Sequence, residues 1–144
     1  MKKSLILTFR LLVMIFLVIL SQFFIPAVRE FFQGSFLFLL PAIIFSLLGI
    51  VLIFLTLKEK LEGKLKKFLI LTGASAAGFF IFVLLHNLFY ALGTITSHIP
   101  VLNYLIGSLH VAFFILAVPV CPLGFLIGAA GTIFLLVRKN INYN

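Results

Sequence analysis

SFLFLLPAIIFSLLGIVLIFLTL (35–57), KEKLEGKLKK (58–67) and FLILTGASAAGFFIFVLLHNLFYAL (68–92) follow one another in the middle of the chain. The two outer runs carry no charge, and each exceeds the ~20 residues a helix needs to cross a hydrocarbon core of about 30 Å. Between them, ten residues hold five Lys and two Glu. Apolar, basic, apolar on this scale predicts two membrane-crossing helices joined by a short loop at the headgroups. Glu62 and Lys66 stand at i,i+4, so a short helical extension with a weak ion pair is expected there.

Outward from this centre the pattern repeats. Leu11 to Val28 and Phe68 to Val137 are also free of charge. The whole chain of 144 residues is 64% hydrophobic and 10% charged, with a mean hydropathy of +1.35. A soluble domain of this size has about a quarter of its residues charged and could not bury so much apolar side chain. The expected fold is an all-α integral membrane bundle, one domain over 1–144, with four spans near 5–27, 35–57, 68–92 and 113–137. Lys2, Lys3 and Arg10 ahead of LLVMIFLVIL imitate a signal peptide, but no A-x-A-type site follows, and the segment reads as an uncleaved first span. Val28 to Gly34 and Gly93 to Pro100 read as the two opposing loops.

Four spans place both termini and the Lys58–Lys67 loop on one side. That side collects ten of the eleven basic residues, leaving only Arg29, beside Glu30, on the other. The positive-inside rule then predicts both termini in the cytoplasm, in a plasma (inner) membrane. The same placement gives the basic residues a role against anionic lipid, so the high pI does not call for nucleic acid.

The segment from Asn103 to Val137 is too long for one perpendicular span. Two arrangements answer this. In the favoured one, Val101 to Ala112 lies along the outer interface, with Asn103, Tyr104, Gly107, Ser108 and His110 on a polar face and Leu102, Leu105, Ile106 and Leu109 on an apolar one. In the other, Pro119 and Pro122 kink one long tilted helix.

Composition excludes much chemistry. Asp is absent, and Glu30, Glu59 and Glu62 all fall in loops, so an intramembrane aspartyl protease is excluded and a carboxylate-coupled pump disfavoured. Cys121 is the single cysteine, which rules out an intramolecular disulfide or a CxxC pair. No phosphate-loop, dinucleotide or metalloprotease motif occurs. The paired cysteines of four-span mercury-transport or quinone-linked disulfide proteins are missing as well.

What remains is a set of polar and small residues within the spans. Gln22, His86, Asn87, Tyr90 and His110 form a candidate polar pocket in the outer half. A turn centred near His98 would bring His86 level with His110, twelve residues away on either side, whereas an interfacial helix would move them out of register. With Cys121 they are the only candidate metal or haem ligands, and hydrogen-bonded packing is the expectation for His86 and Asn87. Gly73/Ala77 and Ala74/Gly78 are small-xxx-small pairs in the third span, and Gly124/Gly128 is a GxxxG in the fourth. The expected contact is span three on span four. The 19 Phe read as lipid-facing. Tyr90, Tyr104 and Tyr143 are candidate interface anchors.

The functional expectation is a non-catalytic helix-packing or complex-associated membrane subunit, without a cofactor. Its partners would be the bilayer and a homo-oligomer or larger membrane complex. A small permeation protein with its pocket around His86 is the first alternative, and a haem- or metal-binding subunit the second.

Overall fold

The computed structural model describes residues 3–32 and 36–141. Ser35, the expected start of the second span, and Tyr143 lie outside them. Among the described residues every regular element is helical. In order these are α1 (Lys3–Phe24), α2 (Pro26–Phe32), a 3₁₀ turn (Phe36–Phe38), α3 (Leu40–Lys58), α4 (Gly63–Ile95), α5 (Pro100–Ile115), a π-helical turn (Leu116–Val120) and α6 (Cys121–Ile141). Four helical stretches are long and apolar enough to cross a membrane: Lys3–Phe24, Leu40–Lys58, Gly63–Ile95 and the combined Pro100–Arg138.

Proline and backbone geometry set most of the boundaries. The residue before a proline is pushed out of the helical region, so α1 stops short of Ile25-Pro26, and Pro26 opens α2 from a position that needs no donor. The expected loop from Val28 is therefore largely helix, tied back to α1 by Ile25 N–H to Ser21 O (2.9 Å) and Arg29 N–H to Ile25 O (3.0 Å). Pro41 and Pro100 sit in the first turns of α3 and α5 for the same reason. The α3–α4 connection turns on Lys60 (φ 48°) and Gly63 (φ 69°), both left-handed. Glu62 takes an extended N-cap conformation (φ −126°, ψ 170°), which removes it from the helix that would have set it beside Lys66.

Helix α4 is the mast of the bundle. It packs on α3 along one side, on α6 along another and on α5 beyond them, while α1 leans on α3. Ser46 of α3 lies opposite Ala77 of α4, its hydroxyl donating to the Ala77 carbonyl at 2.7 Å. From that level α3 has six residues left before Leu40, whereas α4 continues to Ile95. The α4–α5 hairpin therefore rises about twelve residues, ~18 Å, past the end of α3.

Approach between the central helices is set by missing side chains. A Cβ on Gly49 would stand 2.6 Å from Ala77 N and 2.7 Å from Gly73 O. One on Gly128 would stand 2.5 Å from Thr72 Oγ1 and 2.7 Å from Thr72 N. The expected contact of the third span with the fourth is present, but the Gly73/Ala77 face is turned to α3. Gly73 and Ala77 receive α3, through Gly49 and Ser46, not the last span. Gly124, Gly128 and Gly131 receive Ser75, Thr72 and Phe68 of α4. Gly78 lies against Phe82 and the Cys121 sulfur, and Ala74 is exposed. The buried hydroxyls of Thr56, Thr72 and Thr132 each donate to the carbonyl four residues back (2.7–2.8 Å), so they enter the core without a partner helix.

Phenylalanine does more than face lipid. Phe16, Phe45 and Phe125 are at most 5% exposed and meet at ring-centroid distances of 5.9, 4.5 and 5.0 Å, joining α1, α3 and α6. Phe23, Phe24, Phe54 and Phe134 do face outward, as expected.

The separate interfacial helix over 101–112 does not appear. Helix α5 runs antiparallel to α4 and passes through the π turn into α6, which is the proline-broken long helix of the second arrangement. Pro119 has no N–H to give, and the wide turn closes with Cys121 N–H on Leu116 O. Pro122, the next residue, likewise gives no N–H to the carbonyls of the preceding turn. The extra residue also keeps one face turned to the bundle: Ile106, His110, Phe113, Ala117, Cys121, Phe125, Gly128 and Thr132 recur at a mean spacing slightly above 3.6.

Candidate functional site

Above the end of α3, α4 and α5 hold each other through an aromatic seam. Phe82 and Phe113 stack at 6.2 Å, Phe89 meets Phe113 at 5.3 Å, and His86 meets Phe114 at 5.3 Å. At the centre of the seam His86 and His110 stack at 4.1 Å with their planes 23° apart. Each imidazole reaches the other residue's backbone: His86 Nδ1 to His110 O at 3.1 Å, and His110 Nδ1 to His86 O at 3.2 Å. A carbonyl can only accept, so both Nδ1 atoms carry the hydrogen. The hairpin register read from the sequence is therefore the register of the structure.

This reciprocal clasp has a chemical consequence. A metal–imidazole bond of about 2.0–2.1 Å lies in the ring plane. Two stacked planes inclined by 23° converge far beyond that reach, so one ion cannot take both Nε2 atoms without breaking both Nδ1 bonds. Cys121 gives no help. It lies on α6 beside Gly78 and Phe125, beyond the π turn from His110. No group of three or more His, Cys, Asp or Glu that could hold a metal occurs among the described residues. As placed, the pair is a hydrogen-bonding strut between two helices, not a chelate.

His86, Asn87, Tyr90, His110, Val111 and Phe114 line a recess of about 470 Å³ on one side of the seam. Tyr90 stacks obliquely on His110 at 5.4 Å and is 64% exposed. Asn87 spends its amide hydrogen on Val83 O of its own helix (2.8 Å). Four of the five expected polar residues thus come together. Gln22 does not. It is buried on α1, 2% exposed, and its Nε2 has no hydrogen-bond partner. On α5, Asn103 lies near Gly93 and His110 faces α4, while Leu102 and Leu105 are exposed, which reverses part of the amphipathic reading.

Two further hollows were not expected. One, of about 350 Å³, lies between α1 and the π turn, bounded by Phe16, Phe45, Phe79, Cys121 and Pro122. The other, of about 730 Å³, separates α1 from α6 at the end of the bundle that carries the lysine loop, with Arg10 on its wall. Neither has a sequence signal, because each depends on how far two helices stand apart. Comparison with protein-family models, with curated proteins and with solved structures gives no match for this chain.

Proposed function

We infer that the chain is a non-catalytic integral membrane protein that works by packing against other membrane helices through its α4–α5 hairpin. Both termini and the Lys58–Lys67 loop lie on the cytoplasmic side of the plasma (inner) membrane. The observation that carries the reading is the reach of the hairpin. Helix α4 has 33 residues, about 50 Å, against a hydrocarbon core of about 30 Å. With Lys64, Lys66 and Lys67 at the headgroups, the core ends near Asn87. Ile95 (68% exposed), Val101 (83%) and Tyr104 (80%) then stand past it, left mostly uncovered by the described residues. Apolar side chains in that position mark a contact with another protein.

The glycine faces support the same reading by elimination, since α3, α4 and α6 use them on one another. Any partner must meet the molecule elsewhere. Val101→Cys in a Cys121→Ala background, crosslinked in membranes and run on a native gel in gentle detergent, is expected to give species larger than the monomer. Monomer alone, with no adduct at Val101 or Tyr104, overturns the reading. A permeation role, the second reading, rests on the recess around His86. It requires a solute flux in liposomes that His86→Ala abolishes.

A further inference from the structure

Among the described residues, Arg10 is the basic residue that stands furthest from a helix end. It lies seven residues, about 10 Å, beyond Lys3 on α1, and its side chain is exposed on the wall of the crevice between α1 and α6. The two helices reach each other higher up through the Phe16–Phe125 ring pair. Towards the lysine loop they stand apart around a space of about 730 Å³, floored by Leu61 and Leu65 and walled by Met14 on one side and Ile133 and Val137 on the other. Among the described residues, Arg10 is the one charged group on that wall.

Arg10 shares the crevice with Leu61 and Leu65 of the basic segment, so its guanidinium lies at the headgroup boundary, where an anionic partner is favourable beside an apolar wall. Among the described residues, Glu30 is on α2, past the far end of α1, and no acidic side chain lines the crevice. The surroundings add positive charge instead, with Lys64 and Arg138 at the same end of the bundle. An apolar slot with a single fork-shaped cation at its side, set among further cations, fits one kind of molecule. It takes a hydrocarbon chain that ends in a phosphate, and the guanidinium can hold two phosphate oxygens at once.

We propose that the α1–α6 crevice is a binding site for an anionic phospholipid of the leaflet at the basic end, with one acyl chain between Met14 and Ile133 and the headgroup phosphate on Arg10. The site fills the gap that the splayed helices leave and supplies an anionic partner for Arg10. It is independent of the hairpin contact, which lies at the opposite end of the bundle.

The test uses the full chain purified in gentle detergent, with bound lipid read by native mass spectrometry. Palmitoyl-oleoyl phosphatidylglycerol, palmitoyl-oleoyl phosphatidylcholine and inorganic phosphate are added separately. The unmodified protein is expected to retain one phosphatidylglycerol at least fivefold better than phosphatidylcholine, and to retain no phosphate. Arg10→Gln should lower that retention about tenfold. Lys67→Gln, which removes the same charge from outside the crevice, should leave it within twofold. Met14→Trp should lower it by obstructing the slot with every charge in place. Equal losses in Arg10→Gln and Lys67→Gln would mean diffuse attraction and overturn the site. So would full retention in Met14→Trp, equal retention of the two lipids, or a stable adduct with phosphate alone.

Discussion

Gly49→Ala adds a single methyl group to a helix contact in which two of the three nearest atoms are backbone. The new Cβ would stand 2.6 Å from Ala77 N, 2.7 Å from Gly73 O and 2.9 Å from Ala76 Cβ, where ordinary contact begins near 3.4 Å. Two of these neighbours are backbone atoms, so no rotamer change relieves the overlap and α3 must move off α4. Overpacking of this kind costs about 1–3 kcal/mol. The displacement also stretches the Ser46 Oγ to Ala77 O bond (2.7 Å), worth about 1 kcal/mol. Alanine's better helix propensity returns up to about 1 kcal/mol. The net loss is about 2 kcal/mol, roughly 5 °C in the thermal midpoint. Gly107 of α5 is the matched control, since a Cβ there meets nothing within 4 Å and Gly107→Ala should hold or raise the midpoint. Thermal unfolding of both variants in one detergent, followed by circular dichroism, decides the matter. If Gly49→Ala melts with the parent while Gly107→Ala melts lower, the reasoning from close approach is wrong.

Three other changes probe the polar groups and the turn. A double-mutant cycle on His86→Ala and His110→Ala should show a coupling of about 1–2 kcal/mol and faster amide exchange in 86–110 for either single variant; additive losses would remove the clasp. Gln22→Met replaces a buried amide whose Nε2 is unpartnered, so the melting temperature should hold or rise by the equivalent of about 1 kcal/mol. A clear fall would show that the amide has a partner. Gly63→Ala forces a side chain into a left-handed conformation and should destabilise by about 1–2 kcal/mol although the space around it is open; a neutral result would place the turn differently.

Charge spacing carried the architecture into the sequence. A lipid-facing helix tolerates few charges, so gaps between Lys and Arg residues mark the long helices directly. The register of His86 with His110 belonged to the less favoured arrangement, because the amphipathic pattern of 101–112 pointed to an interfacial helix instead. Boundaries were less legible, because α2 and the first turns of α4 continue helix through polar residues on hydrogen bonds that composition does not reveal. The π turn was half visible: Pro119 announced a break, but the break is settled by the need to keep Ile106 and Phe125 on one face. Gly49 carried no motif, lacking a small residue four positions away on its own helix. It becomes indispensable only when Gly73 and Ala77 arrive from α4. Hydropathy likewise cannot separate a phenylalanine such as Phe125, 1% exposed, from one such as Phe134, 64% exposed. Both look the same until the partner helix is in place. Four residues of the candidate pocket are together because they share one hairpin, and Gln22 is apart because it belongs to another helix.

The central claim is a four-span bundle whose lysine loop lies inside the cell and whose hairpin tip lies outside it. Cysteine accessibility in intact cells tests this most directly. Cys121 is first replaced by Ala, which its buried, apolar setting accepts. Single cysteines then go in at exposed Ser97, in the α4–α5 turn, and at exposed Glu62, in the basic loop; Glu62 is preferable to Gly63, whose left-handed backbone would strain a side chain. An impermeant maleimide is expected to label Ser97→Cys in whole cells and Glu62→Cys only after lysis. Labelling of Glu62→Cys but not Ser97→Cys in whole cells would invert the topology. Labelling of both would contradict the four-span arrangement itself.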